Sequence, residues 1–199
     1  WWYGPKTIPR ERLQQMGKLA ARDREIESEK EGIRQGLLFP FTTSEGIYHC
    51  AGDKRLSSAS PTLTFVSYSG AGGMNGEQSG LSVKSMSAIV NPSDKSVYVE
   101  ESDPRQYNMG SWIISMGAGS NWIDPVAPWH NDYSTLSWAD GHATTKKWLS
   151  ENTKKAARNT VGTPSRPGTF SFGFYDKDNR DIMYMKEHYA TNRKSGNAL

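Results

Sequence analysis

The stretch APWHNDYSTLSWADGHATTKKW, residues 127–148, decides the fold. It contains two runs rich in β-branched and aromatic residues, STLSWA and HATTKKW, joined by the pair Asp140-Gly141. An Asp-Gly pair between two such runs predicts a β-hairpin closed by a two-residue type I′ turn. Both positions of that turn need a positive φ, which glycine adopts freely and aspartate tolerates.

Pairing outward from this turn predicts which side chains face the core. Trp138 is expected opposite Ala143, and Leu136 is expected opposite Thr145. Since side chains alternate between the two faces of a strand, Leu136 and Trp138 share one face. We take this as the core face.

Three interpretations compete for the polar residues His130, Asp140 and His142. A nucleophilic triad needs a Ser or Cys beside the base, and the sequence has no GxSxG motif. A transition-metal site needs three converging ligands, and the HExxH and two-His-carboxylate spacings are absent. In the third interpretation, His130 approaches the Asp140-Gly141 turn and braces the hairpin, while Asp140 caps its own turn.

The composition indicates one folded, polar, loop-rich domain. With 199 residues the chain can bury a core. Hydrophobic residues make up 35% of it, and the seven Trp and nine Tyr among them supply much of the burial that the aliphatic residues do not. The net charge is only +3 and the basic residues are dispersed, so nucleic acid is not an expected partner. The single cysteine, Cys50, cannot close an internal disulfide. No apolar run reaches the roughly 18 residues of a membrane span.

Helical periodicity is clearest near the start of the chain. Residues 10–36 predict one or two helices that end near Gly36. The segment 36–55 predicts an irregular crossing, and the residues expected to pack inward there are Leu38, Phe39, Phe41 and Tyr48.

The remainder of the chain predicts short strands, loops and two further helices. Strands are expected in residues 62–70, 86–91, 96–101, 110–117 and 170–175, and a flexible loop is expected in residues 70–80. The glycines of that loop lack the spacing of a phosphate-binding loop. Helices are expected within residues 146–159 and 182–192.

His130, nine intervening residues and then Asp140-Gly141 resemble the signature of the prepilin-type processing-associated H-X9-DG domain. Residues 36–55 resemble the family's segment around a Cys-Pro-x-Asp motif, with Cys50 and Asp53 in place and Ala51 where the family usually has proline. Three further segments resemble family motifs in the family's order: FVSYSGAGGMNG (65–76), NPSDKSVYVEESDPR (91–105) and NRDIMYMKEHYAT (179–191). The resemblance covers most of residues 33–190.

The resemblance implies an α+β, pilin-like head with an antiparallel sheet. Residues 1–36 are then an amino-terminal helical segment and residues 37–199 the β-rich head. It implies a structural pseudopilin-like subunit without catalytic activity, in a type II secretion or type IV pilus-like filament. The implied partners are other pilin-like subunits, the assembly machinery and, through an anchor helix that this sequence does not contain, the outer side of the cytoplasmic membrane.

No cofactor is expected, with calcium as the one candidate ion, since some pseudopilins hold calcium in a loop near the carboxyl end. The turn DKDNRD has an oxygen-rich set of side chains suited to a hard cation, although it lacks the EF-hand pattern. The candidate ligands are Asp176, Asp178, Asn179 and Asp181, with Asp140 as a second place for the ion.

The alternative function is a surface-displayed module that binds carbohydrate or another polymer. Aromatic faces stack on sugar rings, so solvent-facing tryptophans would carry such a function. The candidates are Trp112, Trp122 and Trp129.

Overall fold

The computed structural model describes residues 10–56, 64–75, 77, 80–102, 110–116, 122–157 and 180–191. It is an α+β structure, as predicted, and divides into two compact units, Trp1–Tyr68 and Ser69–Leu199. The expected boundary after residue 36 lies inside the first unit. The helical segment belongs with the residues after it because Ile33 packs with Phe65 and Val66.

The first unit is helical where the sequence predicts helices. Residues Arg10–Met16 form α1 and residues Ala21–Arg34 form α2, so the helical stretch consists of two helices that end before Gly36. Residues Phe39–Thr42 form the short α3, which ends where Thr43 takes the left-handed conformation with a φ of 51°. A 3-10 helix follows at Glu45–Tyr48.

The core of the first unit includes only half of the apolar residues expected there. Phe39 and Tyr48 pack against it as predicted. The prediction is wrong for Leu38 and Phe41, which are 41% and 86% exposed. Residues two apart on a helix lie on opposite sides, so when α3 turns Phe39 inward it turns Phe41 towards solvent.

Among the described residues, five strands form one sheet in the order β3-β1-β2-β4-β5. Their bounds are Tyr68–Ala71 for β1, Ser96–Glu100 for β2, Ser111–Trp112 for β3, Tyr133–Trp138 for β4 and Ala143–Lys147 for β5. The pairs β2/β4 and β4/β5 are antiparallel, whereas β1 and β3 are parallel. The sheet is therefore mixed, and the prediction of an antiparallel sheet is wrong at this edge. A parallel pair requires a long crossover, which the chain between β1 and β3 provides.

The second unit also contains three described helices. They are α4 at Gly72–Asn75, α5 at Glu151–Ala157 and α6 at Arg180–His188, and the last two confirm the helices expected near the carboxyl end. Two 3-10 helices lie at Met86–Ala88 and Pro92–Asp94. None of the described helices is both long and apolar enough to cross a membrane.

Several expected strands take other forms. Residues 86–91 contain a 3-10 helix instead of a strand, because Ile89 is the buried apolar side chain of this run and one turn suffices to point it inward. In the described part of the stretch 62–70, residues 64–70, the strand begins only at Tyr68, and the loop expected at 70–80 contains α4. The strand expected at 170–175 lies outside the described residues.

The core of the second unit is built around aromatic rings, as the composition indicates. Trp112, Trp122, Trp148 and Tyr189 are all buried, and neighbouring ring centroids lie 5.6 to 6.2 Å apart. The strand β4 alternates strictly and turns Ser134, Leu136 and Trp138 inward. Leu136 and Trp138 therefore share the core face, as predicted.

A close backbone approach joins α4 to the residue that follows Tyr189. A β-carbon on Gly73 would lie 2.2 Å from the carbonyl oxygen of Ala190, a distance that no real side chain tolerates. The amide of Gly73 donates a hydrogen bond to the hydroxyl of Tyr189 at 3.1 Å. Only glycine fits at this position.

Candidate functional site

The turn at Asp140-Gly141 closes a three-residue loop, so the predicted type I′ turn is wrong. Gly141 has a φ of 97°, and Asp140 is not among the residues with positive φ. The amide of Gly141 donates to the carbonyl of Trp138 at 3.0 Å, and the amide of Trp138 donates to the carbonyl of His142 at 2.9 Å. This is the pattern of a type I turn followed by a glycine bulge, which needs only one left-handed residue.

The longer loop shifts the hairpin register by one residue. Leu136 lies opposite Thr144, and Ser137 lies opposite Ala143. The predicted pairs Leu136–Thr145 and Trp138–Ala143 are therefore wrong. The core face of β4 is unchanged, because the extra loop residue displaces the partners on β5 and not the inward side chains of β4.

Asp140 caps its own turn, as predicted, and also holds a histidine. Its Oδ1 accepts hydrogen bonds from the backbone amide of His142 at 3.2 Å and forms one with the ring Nδ1 of His142 at 2.6 Å. These bonds to His142 hold the pKa of the Asp140 carboxyl below its ordinary value. The imidazole of His142 stacks on the indole of Trp138, with ring centroids 5.5 Å apart. Trp138 is 6% exposed, which confirms its place in the core.

A second turn lies at the other end of β4 and carries His130. Asn131 and Asp132 have φ values of 54° and 68°, and His130 and Tyr133 exchange backbone hydrogen bonds at 3.2 and 3.3 Å. Two successive left-handed residues inside such an exchange define a type I′ turn. The turn type expected at Asp140-Gly141 therefore occurs at Asn131-Asp132.

His130 is bonded to Glu100 and not to the Asp140-Gly141 turn. Its Nε2 lies 3.0 Å from Oε1 of Glu100, the last residue of β2, whose other carboxylate oxygen accepts the backbone amide of Thr135 at 2.8 Å. The six residues of β4 span about 20 Å. The hypothesis that His130 braces the Asp140-Gly141 turn is wrong, because the length of this strand separates them.

The His130–Glu100 pair has the form of an oriented acid–base pair. The Glu100 carboxylate is fully buried and bonds the Nε2 edge of the His130 imidazole, whose side chain is 43% exposed. A carboxylate that orients an imidazole serves general-base catalysis, and it serves equally as a structural link. The serine nearest along β4, Ser134, is not placed as a nucleophile, because its hydroxyl donates to the carbonyl of Ala127 and accepts the indole N–H of Trp148 at 2.7 Å.

Cys50 and Asp53 lie together in a buried network of the first unit. Asp53 accepts hydrogen bonds from the guanidinium of Arg55 at 2.7 to 3.1 Å and from the hydroxyl of Ser67 at 2.7 Å. The backbone amide of Cys50 donates to the same hydroxyl at 2.9 Å. Both motif residues thus tie the segment after the 3-10 helix to the segment that contains Ser67.

The candidate calcium ligands are described only in part. Asp176, Asp178 and Asn179 lie outside the described residues, whereas Asp181 lies in the first turn of α6 and is fully buried. Its carboxylate accepts the amides of Leu149 and Ser150, both at 2.9 Å, and lies 3.4 Å from the ammonium of Lys146. These contacts assign Asp181 to anchoring α6. Asp140, the second candidate, holds His142.

Two of the three candidate stacking rings are buried, so the prediction that they bind a ligand at the surface is wrong. Trp112 and Trp122 are 1% and 3% exposed, and their indole N–H groups donate to the Asp124 carbonyl and the Thr153 hydroxyl. Trp129 is half-buried. The sheet needs these large rings as core, since the chain is short of aliphatic side chains.

Sequence reasoning missed Glu100 and the turn at Asn131-Asp132. The turn had a local signal, because Asn and Asp are the residues other than glycine that most readily become left-handed. Glu100 had none, since a carboxylate in the strand SVYVE is expected to face solvent. Its role depends on a contact with a histidine 30 residues away.

Comparison of the chain with protein-family models, with curated proteins and with solved structures finds no match.

Proposed function

We propose that this chain is the head of a structural, pilin-like subunit of a type II secretion or type IV pilus-like filament. Two kinds of observation support the proposal. The sequence resembles the H-X9-DG family over several motifs in order, and the structure is α+β with helices preceding a sheet, as such a head requires.

The observation that carries the proposal is the position of the motif on β4. His130 flanks the turn at one end of this strand, and Asp140-Gly141 forms the turn at the other end. The Nε2 of His130 and the Oδ1 of Asp140 are each engaged by a neighbour within the same unit, Glu100 and His142 respectively. A motif that defines the two ends of a strand has a structural role, and no catalysis is part of the proposal.

In this proposal the partners are other pilin-like subunits and the assembly machinery. An anchor helix encoded before Trp1 would hold the protein to the cytoplasmic membrane, with the head on the periplasmic or extracellular side. Nucleic acid is not a proposed partner, and the described residues require no cofactor for this role.

The test expresses the complete gene from its own start codon in bacteria with and without a prepilin peptidase. We expect the peptidase to remove a short leader, as measured by intact mass, and filaments labelled by antibodies against the head to appear in electron micrographs. A protein of unchanged mass in both strains, recovered only from the soluble fraction, would contradict the proposal. A peptidase variant with its active-site aspartates replaced provides the control.

A further inference from the structure

The first unit carries a concentration of exposed apolar side chains in eleven consecutive residues. Leu37, Phe41 and Ile47 are 91%, 86% and 55% exposed, and Leu38 is 41% exposed. Single exposed apolar residues are common on protein surfaces and need no explanation. Four of this size between α2 and the end of the 3-10 helix are unusual. We call Leu37, Leu38, Phe41 and Ile47 the apolar patch.

Local geometry places Leu38 and Phe41 on one side of α3 and Ile47 on the neighbouring 3-10 helix, and Leu37 is adjacent to Leu38 in the chain. Leu38 and Phe41 are three residues apart around the turn of α3, so their side chains project to the same side. The short helix α3 packs on the 3-10 helix that contains Ile47, and the hydroxyls of Thr42 and Tyr48 are 3.3 Å apart. The left-handed Thr43 closes this hairpin of two short helices.

The area of the patch is sufficient for a specific contact. An aromatic side chain presents on the order of 150–250 Å², and Leu or Ile somewhat less, so at these exposures the four residues together offer about 500 Å². This is near the upper end of the roughly 300–600 Å² found for the largest patch of an ordinary monomer. A standard protein interface takes about 800 Å² from each partner, so the patch would supply more than half of one side.

The charges beside the patch favour a second copy of this chain as its partner. Arg34 lies 2.9 Å from Glu31 and 2.5 Å from Glu45, and Lys30 lies within 4 Å of Glu27 and Glu45. Arg12 also belongs to this cluster, 2.9 Å from Glu27 and 3.5 Å from Glu31. Three basic and three acidic groups thus balance among these described residues, and the cluster offers no excess of cations to an anionic lipid surface. Two identical copies would not repel each other across such a rim, and Arg34 of one copy can exchange its carboxylate partner for Glu45 of the other.

We propose that the apolar patch is a contact surface between two copies of this chain. Phe41 and Leu37 are the central anchors, because they have the most area to lose from water, and the Arg34–Glu45 pairs form the rim. The inference deepens the proposed function, on which it rests for its place in a filament, by assigning the subunit contact to α3 and the 3-10 helix.

The test measures self-association of the 199-residue chain by sedimentation velocity over a range from micromolar to millimolar concentration. We expect the wild type to associate. Phe41→Glu and Leu37→Glu should each raise the dissociation constant at least tenfold. Leu149→Glu is the matched control, since Leu149 is 56% exposed and belongs to the second unit. This variant should associate like the wild type. Far-ultraviolet circular dichroism and the thermal midpoint verify that each variant is folded.

Three outcomes would overturn the inference. The first is a wild-type chain that stays monomeric at millimolar concentration. The second is an association that Phe41→Glu and Leu149→Glu weaken equally. The third is a monomeric chain that co-sediments with phosphatidylcholine–phosphatidylglycerol vesicles unless Phe41 is replaced, which would assign the patch to a membrane. Leader cleavage in cells does not depend on the patch. Normal leader cleavage of the full-length wild type, with a 199-residue chain that stays monomeric, would thus separate failure of this inference from failure of the proposed function.

Discussion

His130 and Asp140 lie at opposite ends of β4, and each is bonded to a residue outside the motif that they define. His130 pairs with Glu100 at the end of β2, and Asp140 pairs with His142, the residue before β5. The motif therefore attaches β4 to both of its neighbouring strands. The two residues are linked by the strand between them and do not contact each other.

Replacing His130 by alanine is expected to lower the free energy of unfolding by about 1–2 kcal/mol, because the buried Glu100 carboxylate loses one of its hydrogen-bond partners. Glu100→Gln retains an acceptor for the Thr135 amide and should cost less than Glu100→Ala. A double-mutant cycle by urea denaturation measures the coupling between the two side chains. Additive effects of the His130 and Glu100 replacements would show that the pair contributes nothing to stability.

Replacing Asn131 by alanine is expected to lower the free energy of unfolding by about 1 kcal/mol, because the left-handed conformation that this turn position requires is less favourable for alanine. Asn131→Gly should remain within about 0.5 kcal/mol of the wild type, since glycine adopts a positive φ without strain but loses more entropy on folding. Urea denaturation of the two variants provides a matched pair. Equal stabilities for alanine and glycine would contradict the type I′ turn.

Replacing Glu29 by glutamine is expected to stabilise the protein at pH 7 and to have little effect near pH 4. Burial raises the pKa of Glu29, against the opposing hydrogen bonds from the amides of Phe65 and Val66 and from Thr64. A carboxyl with a raised pKa in the folded state holds its proton more tightly when folded. The stability contributed by the protonated Glu29 carboxyl is therefore lost as the pH rises from about 4.5 through the folded pKa. Thermal midpoints across this range measure the effect.

Glu31 supplies the control of opposite sign. Burial opposes the shift, but hydrogen bonds from Arg34 and Gln35 and the nearby charges hold the pKa of Glu31 below its ordinary value. Its stabilising contribution is present above about pH 4.5 and is lost as the pH falls through the lowered pKa. Glu31→Gln should therefore destabilise at pH 7 and have less effect in acid. The same sign for both glutamine variants at pH 7 would refute this account.

Replacing Gly73 by alanine is expected to cost at least about 3 kcal/mol, because the added methyl group would collide with the carbonyl oxygen of Ala190. Backbone cannot move aside as the end of a flexible side chain can. Gly80→Ala is the control, since a β-carbon there meets no atom within 4 Å. Its thermal midpoint should stay within a few degrees of the wild type. Equal tolerance of both replacements would mean that α4 and Ala190 are not in contact.

Local signals in the sequence were enough to predict the elements around β4. The strands of the hairpin, the helices α5 and α6 and the core positions of Leu136 and Trp138 follow from alternation and helical periodicity within short windows. The register did not follow, because an Asp-Gly pair fits both a two-residue turn and a three-residue loop with a glycine bulge. Sequence preferences alone do not separate these two closures.

Features that depend on distant partners were not predictable. The parallel pairing of β1 with β3 depends on where the intervening strand β2 inserts in the sheet. The exposure of Leu38 and Phe41 depends on the rotation of α3 against its neighbours, whereas the sequence shows only that they are apolar. For the same reason the Glu100 carboxylate was not recognised as the partner of His130.

The strict alternation along β4 makes the nine-residue spacing a matter of parity. If both turns stay fixed, deleting one residue from β4 would turn every side chain after the deletion to the opposite face of the sheet. Either Leu136 and Trp138 would leave the core, or the Thr135 amide would turn away from Glu100. Substitutions between His130 and Asp140 that keep the alternation are therefore expected to preserve the fold, whereas inserting or deleting a single residue there is expected to disrupt it.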